Sequence, residues 1–186
     1  MAMRLFVALD VEGSLKEKVL GVQRLLDFRD AHIRFVEKEN LHLTLKFLGE
    51  VNGNSVNEVS EVLRSVSGNT KPFRISISGL SYFSSGKSIR VIFLGVVEGK
   101  DYLIDLEKQL NEKLKVFKEE DYDPHPHLTI ARVGFVKEPK KFLGRLESLK
   151  NFSVGEMEAR EIKLFKSALT RKGPIYTEVA KFQLTG

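Results

Sequence analysis

Two apolar, strand-like runs of this chain carry the same polar insertion, His42-Leu43-Thr44-Leu45 and His127-Leu128-Thr129-Ile130. Successive side chains of an extended chain point to opposite faces, so each run sets an imidazole and a hydroxyl on one face and leaves Leu or Ile on the other. Such a strand has one face packed on a core and the other open. A lone His on a strand is usually a hydrogen-bonded structural residue. With 6 Thr in 186 residues, a given His meets Thr two places on roughly once in thirty times, and two such coincidences among four histidines fall under about one in a hundred. The copies stand 85 positions apart, and they point to a duplicated element.

The surroundings repeat as well. Strand-like runs occupy residues 4–10, 33–36, 41–48, 73–77, 88–97, 126–133, 159–165 and 176–184, bounded by Gly, Asn or Pro. Four amphipathic stretches lie between them. Leu15, Val19, Val22 and Leu26 follow Ser14, and Val56, Val59, Leu63 and Val66 follow Ser55, with each Ser read as an N-cap. Leu103, Leu106, Leu110, Leu114 and Phe117 keep the helical period, as do Phe142, Leu146 and Leu149 after Pro139. The first half reads strand, helix, strand, strand, helix, strand, and the second half is similar. This α+β order admits two related lobes, with helices outside and a cleft between the inner sheet faces.

Composition narrows the chemistry. The chain is 42% hydrophobic and 30% charged, too apolar for a disordered tail and too charged for a membrane protein. The 186 residues suit one domain. No cysteine is present, which removes disulfides, thiolate nucleophiles and Cys-ligated metals and fits a reducing compartment. Leu5 to Leu9 is too short an apolar run for a signal peptide, so a cytoplasmic location is expected. The formal charge of +5 permits an anionic partner without naming one. If RNA is that partner, Lys and Arg should cluster at the cleft mouth.

The residues His42-Leu43-Thr44-Leu45-Lys46-Phe47-Leu48-Gly49 and Pro126-His127-Leu128-Thr129-Ile130-Ala131-Arg132-Val133 resemble the paired motifs of the 2H phosphoesterases, specifically the RNA 2′,3′-cyclic phosphodiesterase or 2′-5′ RNA ligase family. Agreement extends to the opening strand Arg4-Leu5-Phe6-Val7-Ala8-Leu9 and to Leu164, Ser167 and Tyr176 near the end. The resemblance implies one domain over residues 1–186, built from two intertwined, pseudo-twofold-related lobes. Each lobe would have an antiparallel sheet flanked by helices and lend one motif to a central cleft. It also implies hydrolysis of RNA 2′,3′-cyclic phosphate ends to 2′-phosphomonoesters, and in some members reversible 2′-5′ joining without ATP. His42 is then the proton donor and His127 the acceptor, with Tyr176 and Ser167 close to the cleft. The expected partner is RNA, tRNA included, bound by a monomer.

The residue types suit that chemistry. Water must attack phosphorus in line with the departing ribose oxygen, so one group takes a proton while another, across the phosphorus, gives one. Imidazole populates both forms near neutrality. Thr44 and Thr129 would donate to the non-bridging oxygens. Strict alternation puts Lys46 on the face of His42 and Thr44, and puts Arg132 opposite His127 unless the strand bulges. Arg90 is a further cation by its place in a strand. Phe83 is a candidate base-stacking platform, while Phe93 and Phe165 read as core. His32 reads as a surface residue, and Thr170-Arg171-Lys172-Gly173 as a solvated turn. No Gly-rich phosphate loop is present, so no nucleotide cofactor is expected.

Two rival readings use the same residues. Asp123, His125 and His127 stand at alternate positions and could hold a catalytic zinc, although Pro124 and Pro126 interrupt the strand and the duplicated His42 motif stays unexplained. A non-catalytic RNA-end-binding module would use both histidines only as hydrogen-bonding groups.

Overall fold

A computed structural model of the chain describes residues 2–26, 28–29, 31–117, 124–171 and 173–186. Among these residues, nine strands and four helices alternate: β1 (Ala2–Asp10), α1 (Gly13–Leu26), β2 (Ala31–Phe35), β3 (His42–Asn52), α2 (Val56–Gly68), β4 (Phe73–Ser85), β5 (Ser88–Val96), α3 (Lys100–Lys113), β6 (His127–Val136), α4 (Pro139–Ser148), β7 (Ser153–Ala159), β8 (Glu161–Thr170) and β9 (Gly173–Gln183). The four helices fall on the four periodic stretches. Each buries its apolar stripe: Leu15, Val19, Val22 and Leu26 on α1, Val59, Leu63 and Val66 on α2, Leu103, Leu106 and Leu110 on α3, Phe142 and Leu146 on α4. Ser55 does precede α2, but its side chain makes no capping bond.

These strands join one antiparallel sheet in the order β7-β4-β5-β6-β3-β1-β8-β9, with β2 paired to β6. The order splits into two four-stranded halves, each ending on a motif strand. Those strands, β3 and β6, meet through a single pairing, Leu43 with Leu128. The expected two lobes are thus the halves of one sheet. Strand β7 pairs with β4, and β8 with β1, so strands distant in sequence complete each half. α3 packs on β3 and α1 on β6 and β7, on the face opposite the histidines. Gly99 opens α3 at φ +77°, where a Cβ would lie 2.2 Å from the Arg74 carbonyl oxygen, so the tight entry to this helix requires glycine.

Two strands depart from the sequence reading for one reason. β4 runs eight residues past Ile77, and β7 is a strand of its own. Register shifts at Ser78/Leu80 in β4 and opposite Val154 in β7, with Gly79 and Gly155 at positive φ, interrupt the two-residue alternation that marks a strand in sequence. No helix among the described residues is long and apolar enough to cross a membrane.

Leu43 and Leu128 are almost wholly buried at the point where the halves meet. Leu128→Ala should destabilise the fold by about 2–5 kcal/mol through lost burial and the cavity left behind. Urea denaturation tests this, and a loss under about 1 kcal/mol would show that the seam is not part of the cooperative core.

Candidate active site

The histidines of both motifs line one cavity of about 720 Å³ on the inner sheet face, together with Thr44, Thr129, Arg132 and Tyr176. His42 Nδ1 lies 2.7 Å from the Asn40 carbonyl, and His127 Nδ1 lies 2.6 Å from the His125 carbonyl. A carbonyl only accepts, so Nδ1 of each ring carries the proton and, in the neutral ring, Nε2 presents a lone pair. Thr44 Oγ1 stands 3.1 Å from His42 Nε2 and donates to it. Both carbonyls belong to the residue two places before the His, so the same local geometry aims both rings.

Each ring sits among aromatics. Phe6, Tyr176 and Phe165 surround His42 at ring-centre distances of 4.9, 5.3 and 6.3 Å. Phe83 and Phe93 flank His127 edge-on at 5.0 and 5.2 Å. Burial in these walls disfavours the imidazolium and pushes the pKa of His42 down to about 4, outweighing the Asn40 carbonyl and the Asp10 carboxylate, which favour the charged form. His127 is lowered as well, first by burial and further by His125 and Arg132 nearby. Burial also raises the Tyr176 phenol, which stays a neutral hydroxyl. Phe93 is buried as the sequence reading expected and also touches His127, Phe165 is only partly buried beside His42, and Phe6 adds a ring that sequence did not single out.

The register of the sheet decides which other residues reach the cavity. Val7 pairs with Lys46 but Ala8 with Thr44, leaving Leu45 as an extra residue in β3. Ile92 pairs with Ala131 but Phe93 with Thr129, leaving Ile130 extra in β6. A bulge of one residue reverses the alternation beyond it. In β6 this turns Arg132 onto the face of His127 and Thr129, where it lines the cavity. In β3 it turns Lys46 away and brings Phe47 in. The expectation that Lys46 shares the face of His42 is therefore corrected: Lys46 is 2% exposed, and its Nζ donates to Asn111 Oδ1 of α3 at 2.6 Å. A helix side chain holds the second bulge too. Gln23 of α1 donates to the carbonyls of Ile130 and Val36, both at 2.9 Å.

The remaining candidates fall outside the cavity wall or at its rim. Arg90 is exposed and reaches the Gly134 carbonyl at 3.4 Å. His32 is exposed on β2. Ser167 pairs with Tyr176 across β8 and β9. Thr170 and Gly173 line the cavity but Arg171 does not, and Lys172 lies outside the described residues. Among the charged residues of the wall, Arg34 and Arg132 are balanced by Glu37 and Glu39. His125 is exposed, and its ring rests on Phe83 and Phe93. Asp123, the third residue of the zinc reading, lies outside the described residues. Among the described residues no three His, Asp or Glu cluster as metal ligands.

Known proteins share this arrangement of elements. The LigT like Phosphoesterase family matches the chain twice, over residues 9–93 and 94–176, with one His-x-Thr motif in each segment. An RNA 2′,3′-cyclic phosphodiesterase of Methanocaldococcus jannaschii is 41% identical over 182 residues, covering 96% of this chain and 99% of its own. Another from Archaeoglobus fulgidus is 40% identical over 97% of this chain and all of its own. The crystal structure of TT0787 of Thermus thermophilus superposes with a TM-score of 0.80 at 26% identity over 99% of both chains. That of E. coli LigT complexed with phosphate does so at 0.77 and 25% identity, covering all of this chain and 99% of that one. The chain belongs to the LigT-like phosphoesterase family.

Proposed function

We propose that this protein hydrolyses RNA 2′,3′-cyclic phosphate ends to 2′-phosphomonoesters by acid–base catalysis between His42 and His127, with no metal in the reaction. The observation that carries the reading is the convergence of two His-x-Thr faces on one cavity, with Nδ1 of each ring tied to a backbone carbonyl. The full-length relatives named RNA 2′,3′-cyclic phosphodiesterase supply the substrate class. The two segments matched by the family act as repeats that each lend one motif to a single domain.

In this mechanism water attacks phosphorus opposite the ribose 3′ oxygen. His127 Nε2 takes the proton of the water, the new P–O bond forms, the P–O3′ bond breaks, and His42 protonates the departing oxygen. Burial is the larger influence on both rings, and the charges beside them differ. Asp10 favours a charged His42 while Lys16 and His127 oppose it, and Arg132 and His125 favour a neutral His127. The assignment of His42 as acid and His127 as base follows the family resemblance of the two motifs. Asp10 is itself held ionised: burial opposes its charge, but Lys16 at 2.7 Å and Lys163 at 3.3 Å outweigh burial. Thr44, Thr129 and Arg132 steady the negative charge on the non-bridging oxygens, and Tyr176 offers its hydroxyl at the wall. A 5′-hydroxyl replacing the water gives a 2′-5′ linkage with the cyclic ester as the energy source, which accounts for ATP-independent ligation.

An oligonucleotide with a 2′,3′-cyclic phosphate end, assayed with EDTA present, tests the reading. Turnover should persist, His42→Ala and His127→Ala should each lose about 10²–10⁴-fold, and His125→Ala should change little. EDTA-sensitive turnover with severe loss in His125→Ala would establish the metal reading, and binding without turnover the RNA-end-binding module.

The titrations give two further expectations. By NMR, His42 should titrate near pH 4 and stay neutral with the proton on Nδ1 at pH 7; titration near 6.5 would contradict its burial. A pKa depressed on folding stabilises the protein fully above the unfolded value of 6.5, and that contribution is lost as pH falls towards 4. Catalysis runs the other way. Since kcat/KM needs one ring protonated and the other neutral in the free enzyme, and both rings are shifted to acid, its maximum should lie below about pH 6.5 and decline through neutrality. A maximum above about pH 7 would exclude the pair as the acid and base.

A further inference from the structure

Beyond the bulge, β6 runs out of the cavity alongside β2. Arg34 of β2 stands directly opposite Arg132 of β6, and opposed residues of neighbouring strands point to the same face, so two arginines share the cavity wall. Like charges so placed weaken a sheet. Among the described residues, neither Arg34 nor Arg132 forms an ion pair with a carboxylate. Ile33 and Val133 come next and face the core side. A register shift follows, and His32 then stands opposite Phe135. His32 lies two residues from Arg34 and so shares its face, and Phe135, paired with it, is 61% exposed at the border of a neighbouring cavity that Val133, Gly134 and Val136 also line. Gly134 makes the approach possible, because a Cβ there would lie 2.8 Å from His32 Nδ1. The wall carboxylates, Glu37 and Glu39, lie past the other end of β2. The strip leading outward along β6 is therefore cationic and then aromatic.

We infer that this strip binds the RNA chain that leads away from the cyclic end, with Arg34 and Arg132 holding the phosphodiester next to the terminal nucleotide and Phe135 stacking on a base farther along. The inference deepens the cyclic phosphodiesterase reading and rests on it. A guanidinium is a planar fork that pairs with phosphate oxygens, and a cationic groove with an aromatic platform is how proteins hold single strands without reading sequence. The favoured substrate is accordingly a single-stranded oligonucleotide with a 2′,3′-cyclic phosphate end, in preference to a lone cyclic nucleotide. Arg34 is the residue that makes the difference, since Arg132 also serves the cyclic phosphate itself.

The test compares kcat/KM for a nucleoside 2′,3′-cyclic phosphate and for a single-stranded oligonucleotide with the same end, in the native protein, Arg34→Gln and Phe135→Ala. The native protein should favour the oligonucleotide by at least about tenfold. Arg34→Gln should erase most of that preference and make the dependence of log kcat/KM on log salt shallower by about one. Phe135→Ala, at an exposed site that does not threaten folding, should reduce the preference several-fold. Equal rates on the two substrates in the native protein, or variants that keep the native preference, would overturn the strip while leaving the cyclic phosphodiesterase reading intact. Turnover of neither substrate by the native protein would overturn both.

Discussion

The extra residue that directly follows the His-x-Thr of each motif strand governs what this sheet presents to its cleft. Leu45 and Ile130 are both buried, yet each stands just after a Thr that faces the cavity, and the residue that follows each is buried too. Two adjacent inward residues are incompatible with a regular strand and define the bulge. The cost is a disturbed ladder, offset by side chains from the helices beneath. Gln23 supplies an amide to the Ile130 carbonyl, and Asn111 accepts from Lys46 just past the other bulge. The Ile130 carbonyl also accepts from the Val36 amide at 2.9 Å, so Gln23 adds a second donor there, while the Lys46–Asn111 bond ties the inward-turned lysine to the helix. The helices thus do more than cover the sheet, since they hold the irregularity that shapes the site.

The bulges are alike in position and unlike in outcome. Five residues after its His, β6 offers Arg132 and β3 offers Phe47 to the same cavity. The aromatic walls differ as well, with Phe6, Phe165 and Tyr176 about one imidazole and Phe83 and Phe93 about the other. An acid–base pair needs such inequality, because two groups in identical surroundings have no preference for who holds the proton. Duplication provides two imidazoles aimed at one place, and divergence around them provides the electrostatic difference. Keeping the rings dry lowers both affinities for a proton, and an anionic phosphate brought between them restores some of that affinity as it binds.

Much was legible in the sequence because period-two patterning survives wherever the strand is regular. His42, Thr44, His127 and Thr129 stand before their bulges, and their common face follows from alternation alone. The four helices were legible from the spacing of their buried leucines and valines. Lys46 was misread and Arg132 left open for one reason: alternation carried across a bulge gives the wrong face, and no local signal in Leu45-Lys46 or Ile130-Ala131 marks the extra residue. The continuation of β4 past Gly79 and the separate β7 were hidden by the same kind of irregularity. Phe93 and Phe165 read as core because aromatic residues in strands usually are, and Phe93 is indeed buried. Their contact with the imidazoles depends on pairings between distant strands.

The amino-acid sequence by itself determined the fold class, the two motifs and the absence of thiol chemistry, since these depend on local periodicity and on which residue types are present. Tertiary structure decided which cation enters the cleft, how dry each imidazole is, and that Arg34 comes to lie beside Arg132. Those properties arise from the register between strands far apart in the chain, and register is a collective choice of packing and hydrogen bonding that no single segment encodes.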